Sequence, residues 1–171
     1  TSVLYTGEVL PAEVADLVEK ISKLDDSSTG FIAQVNELTN AYAALSVEQQ
    51  ALVFNVMALQ AAEAKAKAYS EQIDSLSLAI TSLTKELSFE TLKEQAITVR
   101  TTYDESPKVV QAGVENYEHL VAFEAYIVET EKAMAAAQAV TDLIEGLDLE
   151  AATFIDDVAK AKAKYGALTE Q

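Results

Sequence analysis

Residues 41–64 read AYAALSVEQQALVFNVMALQAAEA, and much of this segment returns 61 residues farther along the chain. Identical residues stand 61 positions apart: Val53 and Val114, Asn55 and Asn116, Leu59 and Leu120. Tyr42 likewise matches Tyr103, and Tyr165 follows 62 positions later. A fixed period of this length is typical of tandem helical units. The sequence therefore predicts an all-α protein built from repeats.

The repeats divide the chain into four segments. We predict a tail or linker at residues 1–11, a first helical repeat at 12–68, a second at 69–131 and a partial third at 132–171. The third copy keeps the apolar spacing of the first, since Val140, Ile144 and Leu147 correspond to Leu17, Ile21 and Leu24. Such three- and four-residue spacing marks one apolar helix face. We expect the third copy to stop where its third helix should begin.

Two long helices are expected to join consecutive units. Residues 47–87 contain neither glycine nor proline, and Ser46 with Gln49 forms a capping-box pattern at their start. A continuous helix of that length would be a rod of about 60 Å. Residues 108–147 predict a second such helix, although Gly113 inside it should cost about 1 kcal/mol relative to alanine. Each long helix should serve two neighbouring bundles.

Shorter signals predict the remaining boundaries. The middle copy carries its apolar trio two residues farther from its tyrosine than the other copies do. We interpret this difference as a loop two residues longer before Phe89. Asp148 is expected to cap the last helix, and Gly166 is expected to end it.

Composition excludes several classes of function. The chain has 28 acidic and 12 basic residues and a net charge of −16, so it repels nucleic-acid phosphates and anionic membrane surfaces. Cysteine is absent, which excludes disulfides, thiolate nucleophiles and cysteine-ligated metals. No uninterrupted apolar run is long enough to insert into a bilayer. The chain begins at Thr1 without a leader sequence, so we expect it to be a piece of a longer protein.

The first copy carries a series of short motifs. In chain order they are Ala41-Tyr42-x-Ala-Leu45, Glu48-Gln49, Leu52-Val53-x-Asn55, Leu59 and Ala62-Glu63-Ala64. Together they resemble the three-helix, spectrin-like repeats of large Gram-positive cell-surface and S-layer-associated proteins. The second copy departs from this pattern where Thr102 precedes Tyr103 and where DESP at 104–107 replaces the Ala-Leu turn. The resemblance covers most of residues 12–171.

The resemblance implies elongated tandem three-helix bundles with a truncated third unit. It implies a non-catalytic structural spacer or assembly segment at the extracellular surface or wall of a bacterium, with no catalytic residues to transfer. Its partners would be other copies in a surface lattice, or cell-wall components. The alternative is an adhesin-like helical module that binds a host or cell-wall ligand. For that alternative the first regions to test are Val3, Leu4 and Tyr5, and the surroundings of Phe123 and Tyr126.

The residues give little support to an enzyme. A catalytic triad or a histidine-ligated metal needs a histidine placed with its partners, and this chain has His119 as its only histidine and no cysteine. His119 is expected on a solvent-facing helix surface. Asp156 and Asp157 could form a carboxylate pair, but glycosidase chemistry needs two carboxylates facing each other across a cleft. Slender bundles rarely form such a cleft. We therefore predict no catalytic, cofactor-binding or metal site.

One segment resembles part of a calcium-binding loop. Residues 25–32 provide side-chain oxygens at Asp25, Ser27 and Thr29, but Asn36 stands where the loop needs its bidentate glutamate. Interhelical turns favour the same residue types. We expect an ordinary turn, with calcium binding as the alternative.

The tyrosines and the lysine run also have ordinary explanations. Tyr42, Tyr103 and Tyr165 are expected at equivalent places in the cores, with their hydroxyls at the edge, and not as a ladder that stacks a ligand. The lysines of residues 160–164 alternate with alanine. They should therefore spread around a helix and pair with nearby acids.

Overall fold

The computed structural model describes residues 10–168, and the chain is helical with no strand over that range. The all-α prediction is confirmed. The helices are α1 (Ala12–Ser22), α2 (Phe31–Ala44), α3 (Val47–Gln50), α4 (Val56–Thr81), α5 (Phe89–Glu105), α6 (Lys108–Gly113), α7 (Tyr117–Glu145) and α8 (Phe154–Leu168). Most of the predicted tail lies outside the described residues, although Leu10 packs against the neighbouring core.

The predicted capping box at the start of α3 is confirmed. Ser46 Oγ accepts a hydrogen bond from the backbone N–H of Gln49 at 3.3 Å, and Gln49 Oε1 accepts one from the N–H of Ser46 at 3.0 Å. Ser88 caps α5 in a related way, by accepting from the N–H of Thr91 at 3.2 Å. Such caps satisfy backbone donors that have no partner within the helix.

The prediction of one uninterrupted helix over residues 47–87 is wrong at both ends. α3 ends at Gln50, a turn follows, and α4 runs only from Val56 to Thr81. The turn places Val53 in the core, where it is buried. It also directs the Asn55 amide to the backbone of α1, where Nδ2 donates to the carbonyl oxygen of Val18. These tertiary contacts outweigh the helix propensity of the segment.

The second long helix is interrupted at the corresponding place. α6 ends at Gly113, and α7 begins at Tyr117 and ends at Glu145. Gly113 is required by a close approach: a Cβ atom there would lie 2.3 Å from Cδ1 and 2.9 Å from Cγ1 of Ile73. The glycine therefore lets α6 pack tightly on α4.

Gly113→Ala is expected to destabilise the protein by about 1–3 kcal/mol, because the added methyl group displaces the branched side chain of Ile73. Gly166→Ala is the matched control, since a Cβ there meets nothing within 4 Å. Gly166 lies inside α8, so the control should stabilise the helix by about 0.5–1 kcal/mol. Urea unfolding followed by circular dichroism measures both changes. Equal effects of the two variants would contradict the packing argument.

The interpretation of a longer loop before Phe89 is also wrong. The connection at residues 82–88 is one residue shorter than that at 23–30. α5 has 17 residues against 14 in α2, and it begins three residues farther from its tyrosine. The extra residues therefore lengthen the helix, which Ser88 starts early through its cap.

The predicted boundaries of the last helix need correction. α8 begins at Phe154 and continues through Gly166 to Leu168, so Gly166 does not end it. Asp148 does not cap it either, because Asp148 Oδ1 accepts from the N–H of Glu150 at 2.9 Å. Asp25 Oδ1 accepts from the N–H of Ser27 at the same distance, so both aspartates form a turn before the helix.

Two apolar cores lie along the described chain. The first core consists of Val14, Leu17, Val18, Ile21, Leu38, Val53 and Leu59. The second core contains sixteen buried residues, drawn from α2, α4, α5, α6, α7 and the connections beside them. α4 contributes Leu59 to the first core and Tyr69, Leu76 and Ile80 to the second. One continuous helix of about 39 Å therefore links the two cores.

Candidate functional site

A pair of asparagines fastens the starts of the two long helices to their neighbours. Asn55 Nδ2 donates to the carbonyl oxygen of Val18 at 2.9 Å and to Ser22 Oγ at 3.2 Å. Asn116 Nδ2 donates to the carbonyl oxygen of Ser77 at 2.8 Å. The two asparagines stand 61 residues apart, so the repeated Val-x-Asn motif has the same structural role in both copies.

A pair of glutamines holds the end of the preceding helix in both copies. Gln50 Nε2 donates to the carbonyl oxygens of Tyr42 at 3.2 Å and Leu45 at 3.1 Å. Gln111 Nε2 donates to the carbonyl oxygen of Tyr103 at 2.9 Å. Carbonyl groups in the last turn of a helix lack partners within it. Each glutamine therefore adds hydrogen bonds to carbonyl groups at the end of the helix.

A glutamate on each long helix completes the set of anchors. Glu63 accepts a hydrogen bond from Thr39 Oγ1 at 2.6 Å. At the matching position Glu124 accepts from Arg100 Nε at 2.6 Å, and Arg100 Nη1 also donates to the Tyr117 hydroxyl at 2.6 Å. The hydrogen bond to Glu124, followed by that to Tyr117, raises the pKa of Arg100 above its ordinary value. The guanidinium therefore stays charged and bridges α5 to α7.

The hydrogen-bonding groups of these anchors are used in the contacts just described, except for one acceptor atom on each asparagine. The Oδ1 atoms of Asn55 and Asn116 are buried and have no hydrogen-bond partner among the described residues. A buried acceptor without a partner offsets part of what the Nδ2 bonds contribute. We therefore expect truncation of either asparagine to lower the free energy of unfolding moderately. Replacing the amide donor by a carboxylate should lower it more.

Asn116→Ala is expected to lower the free energy of unfolding by about 1 kcal/mol. Asn116→Asp should lower it further at neutral pH, because a carboxylate would face the Ser77 carbonyl oxygen. Burial and this contact would raise the pKa of the new carboxyl in the folded state. The penalty of Asn116→Asp should therefore shrink as the pH falls towards about 4. Urea titrations at several pH values, with Asn116→Ala as the control, test this, and a pH-independent difference would count against the anchor geometry.

The predicted calcium alternative concerns Asp25 and its neighbours. Asp25 Oδ1 accepts from Ser27 Oγ at 2.6 Å and from the Ser27 N–H, and these two bonds lower the pKa of Asp25. Asp26 forms an ion pair with Lys65. Within residues 10–168, no group of three or more acidic or histidine side chains is arranged to hold a metal ion. Calcium titration of the wild type against Asp25→Ala is the direct test of that alternative.

The other sequence candidates lie apart from one another. His119 is exposed on α7, with its ring edge-on to Phe123 at 4.8 Å between centroids. Asp157 pairs with Lys160 at 3.0 Å, and its pKa is lowered by that hydrogen bond first and by one from Thr153. A cleft of about 450 Å³ lies beside Asp25 and is lined by Phe31, Ala62 and Lys65. Asp26 lines the same cleft, whereas no histidine and no residue of α8 does.

The tyrosines occupy equivalent places with different surroundings. Tyr42 and Tyr103 are half-buried, and the Tyr103 ring stacks on Tyr117 with 4.5 Å between centroids. Tyr165 is 59% exposed, so the prediction of a core position is wrong for the third tyrosine. The pKa of Tyr103 is raised by burial and then by the nearby Tyr117.

Four exposed apolar residues lie in and beside the α3–α4 turn, and the sequence reasoning missed them. These residues, which we call the tip patch, are Val47, Leu52, Phe54 and Met57, with exposed fractions of 78%, 42%, 67% and 72%. The second copy has Lys108, Gly113, Glu115 and Glu118 at these four positions. The fold therefore does not require apolar residues there. A comparison of equivalent positions in the two copies could have revealed the patch, because apolar residues in the first copy correspond to charged residues or glycine in the second.

Of the regions first suggested for ligand binding, only the one around Phe123 and Tyr126 lies within the described residues. Phe123 is buried in the second core, so this side chain does not contribute to an exposed binding surface. Tyr126 is partly exposed and lies under the Lys85 ammonium at 4.4 Å from the ring centroid. Val3, Leu4 and Tyr5 lie outside the described residues.

Comparisons with family models, with curated proteins and with solved structures gave no match. Over residues 10–168, none of the helices combines the length and the apolar character that a bilayer crossing needs.

Proposed function

We propose that this chain is a non-catalytic spacer or assembly segment of a bacterial cell-surface protein, built from tandem three-helix bundles. The proposed units are residues 12–68, residues 69–131 and a partial unit at 132–171. The observation that carries the proposal is the continuity of α4, which contributes Leu59 to one core and Ile80 to the next. A helix shared in this way fixes the spacing of neighbouring units, as a spacer requires.

The use of the polar residues supports a structural role. In both copies several half-buried polar side chains bind other helices, as Gln50, Asn55 and Glu63 do in the first copy. A catalytic site needs polar groups that converge on open space. The anchors instead converge on backbone carbonyls and on partner side chains. The net charge of −16 favours solubility at an exposed surface.

The extracellular location rests on the motif resemblance. It is tested by labelling intact cells of the source organism with antibodies against the folded chain, before and after protease treatment. Surface labelling that the protease removes is the expected result. Labelling only after the cells are lysed would refute the location, although it would leave the architecture standing.

The tip patch favours a second candidate function, an adhesin-like binding module. Aromatic and methionine side chains are enriched at protein interfaces. Phe54 and Met57 are mostly exposed, and the positions equivalent to them carry glutamates in the second copy. A host protein or a cell-wall component with an apolar surface would suit such a patch. The tip patch supports the binding module, whereas the helix α4 shared by the two cores supports the spacer.

The double substitution Phe54→Glu and Met57→Glu is expected to leave stability within about 0.5 kcal/mol of the wild type, because both side chains are exposed. It should abolish binding to cell-wall fragments or host extracts if the patch is the binding site. Thermal unfolding and a pull-down with labelled chain measure the two effects. The matched control is Leu78→Glu, since Leu78 is equally exposed but lies on α4 away from the turn. Binding that survives the double substitution would remove this second candidate.

A further inference from the structure

The third copy reproduces the first with a constant shift of 123 residues. Matched pairs are Leu17 and Val140, Ile21 and Ile144, Phe31 and Phe154, Val35 and Val158, Leu38 and Ala161, and Tyr42 and Tyr165. The helix boundaries obey the same shift, because α1 and α7 end, and α2 and α8 begin, 123 residues apart. The C-terminal part of α7 and α8 are therefore equivalent to α1 and α2.

The equivalent residues differ in how far they are buried. Val140 and Ala161 are buried between α7 and α8, like their counterparts in the first copy. Ile144, however, is 52% exposed, whereas Ile21 is 3% exposed. Phe154 and Val158 are half-buried, although their counterparts are buried. Among residues 10–168, one apolar side of the α7–α8 pair, which we call the open face, therefore lacks the cover that the first copy has.

The first copy shows what covers such a face. Ile21 shares the first core with Val53 and Leu59, which belong to the α3–α4 segment. Phe31 meets the ring of Tyr69, also on α4, edge-on at 6.0 Å between centroids. The cover in the first copy is therefore one amphipathic helix and the turn that leads into it.

The residues that bind the polar anchors of that helix also have counterparts in the third copy. Lys162 stands where the first copy has Thr39 and the second has Arg100, the two residues that bind Glu63 and Glu124. Lys162 forms no ion pair with any residue between positions 10 and 168. Thr141 corresponds to Val18, whose carbonyl oxygen accepts from Asn55.

We propose that the open face is a docking groove for one amphipathic helix together with the turn that leads into it, of the same type as residues 50–63. This helix would carry glutamine, asparagine, leucine and glutamate at relative positions 1, 6, 10 and 14, as both copies do. Its leucine fills the space beside Ile144, its asparagine bonds the Thr141 carbonyl, and its glutamate pairs with Lys162. The proposal rests on the tandem arrangement proposed above.

A second copy of the chain is a poorer occupant than such a separate helix. The α4 helices of a second copy are already packed in their own cores. Each chain also carries a net charge of −16, which opposes close association.

The test uses the full chain and a labelled peptide with the sequence of residues 46–68. Fluorescence anisotropy should show saturable one-to-one binding, and hydrogen exchange of α8 amides should slow when the peptide is bound. A Leu59→Asp peptide should bind at least about tenfold more weakly, because it puts a charge on the apolar face. Lys162→Glu in the chain should weaken binding about fivefold, and a peptide with Glu63→Lys should restore it.

A second measurement covers the case in which a free peptide orders too weakly to bind. The sequence of residues 46–68 is joined directly after Leu168, in place of residues 169–171, so that it follows the same spacing as in the first copy. This fusion should raise the thermal midpoint and slow α8 exchange about tenfold or more, whereas the fusion with Leu59→Asp should not. Failure of both the peptide and the fusion would overturn the proposal. So would charge swaps without effect, or a concentration-dependent dimer that the peptide leaves intact. None of these results bears on the cell-surface location, which the antibody labelling tests separately.

Discussion

Ala68→Pro is expected to lower the free energy of unfolding by about 3 kcal/mol or more. Ala68 is exposed in the middle of α4, between Ala66 and Tyr69 of the second core. Proline there removes one backbone hydrogen bond and clashes with the preceding turn, while little apolar contact is lost. The loss therefore reports the value of an unbroken helix between the two cores. Urea unfolding followed by circular dichroism gives the number.

Val47→Pro is the matched control for this substitution. Val47 is the first residue of α3, and Ser46 before it has an extended backbone with ψ of 160°. Proline is well tolerated at a first helical position that follows an extended residue. The control should change stability by no more than about 0.5 kcal/mol. A loss below about 1 kcal/mol for Ala68→Pro would mean that α4 need not be continuous.

Leu120→Ala is expected to cost about 2–5 kcal/mol, and Leu59→Ala a similar amount. Both leucines are almost completely buried, one in the second core and one in the first. The two leucines stand 61 residues apart at the same place in the repeat. The two substitutions therefore remove the same methyl groups, each from a different core. Differential scanning calorimetry and urea titration measure the loss. Leu78→Ala, at an exposed position of α4, should change stability by less than about 0.5 kcal/mol.

The outcome of the leucine pair also bears on the two-core description. Residues in separate cores should give additive losses to within about 0.5 kcal/mol. If Leu59→Ala cost nothing while Leu120→Ala cost several kcal/mol, the first core would not be a packed unit. Such a result would contradict the equivalence of the two copies.

Helix type and helix faces could be predicted from the sequence because they depend on local spacing. Leu17 and Ile21 in the first copy, and Leu76 and Ile80 in the second, recur at helical intervals and are buried. The capping box at Ser46 is local for the same reason. These features need no knowledge of distant partners.

The breaks after Gln50 and Gly113 could not be predicted in this way. Residues 51–55 contain no glycine or proline, and the helix ends there because Asn55 binds a carbonyl group 37 residues away. The identity of Gln50 and Asn55 in both copies was a usable signal, yet their acceptors are backbone atoms that a sequence does not reveal. Gly113 also indicated a possible break, because glycine is unfavourable inside a helix. The glycine is needed, however, because of its contact with Ile73 and not because of helix propensity.

The most direct test of the shared helix is a distance across α4. The chain has no cysteine, so Met57→Cys and Leu78→Cys, both at exposed positions, can be spin-labelled without background. Twenty-one residues of continuous α-helix separate them by about 32 Å along the axis. Double electron–electron resonance should therefore give one narrow distribution near that backbone separation, widened only by the label arms. A main peak below about 20 Å, as a reversal within α4 would produce, would contradict the continuous helix that joins the two cores.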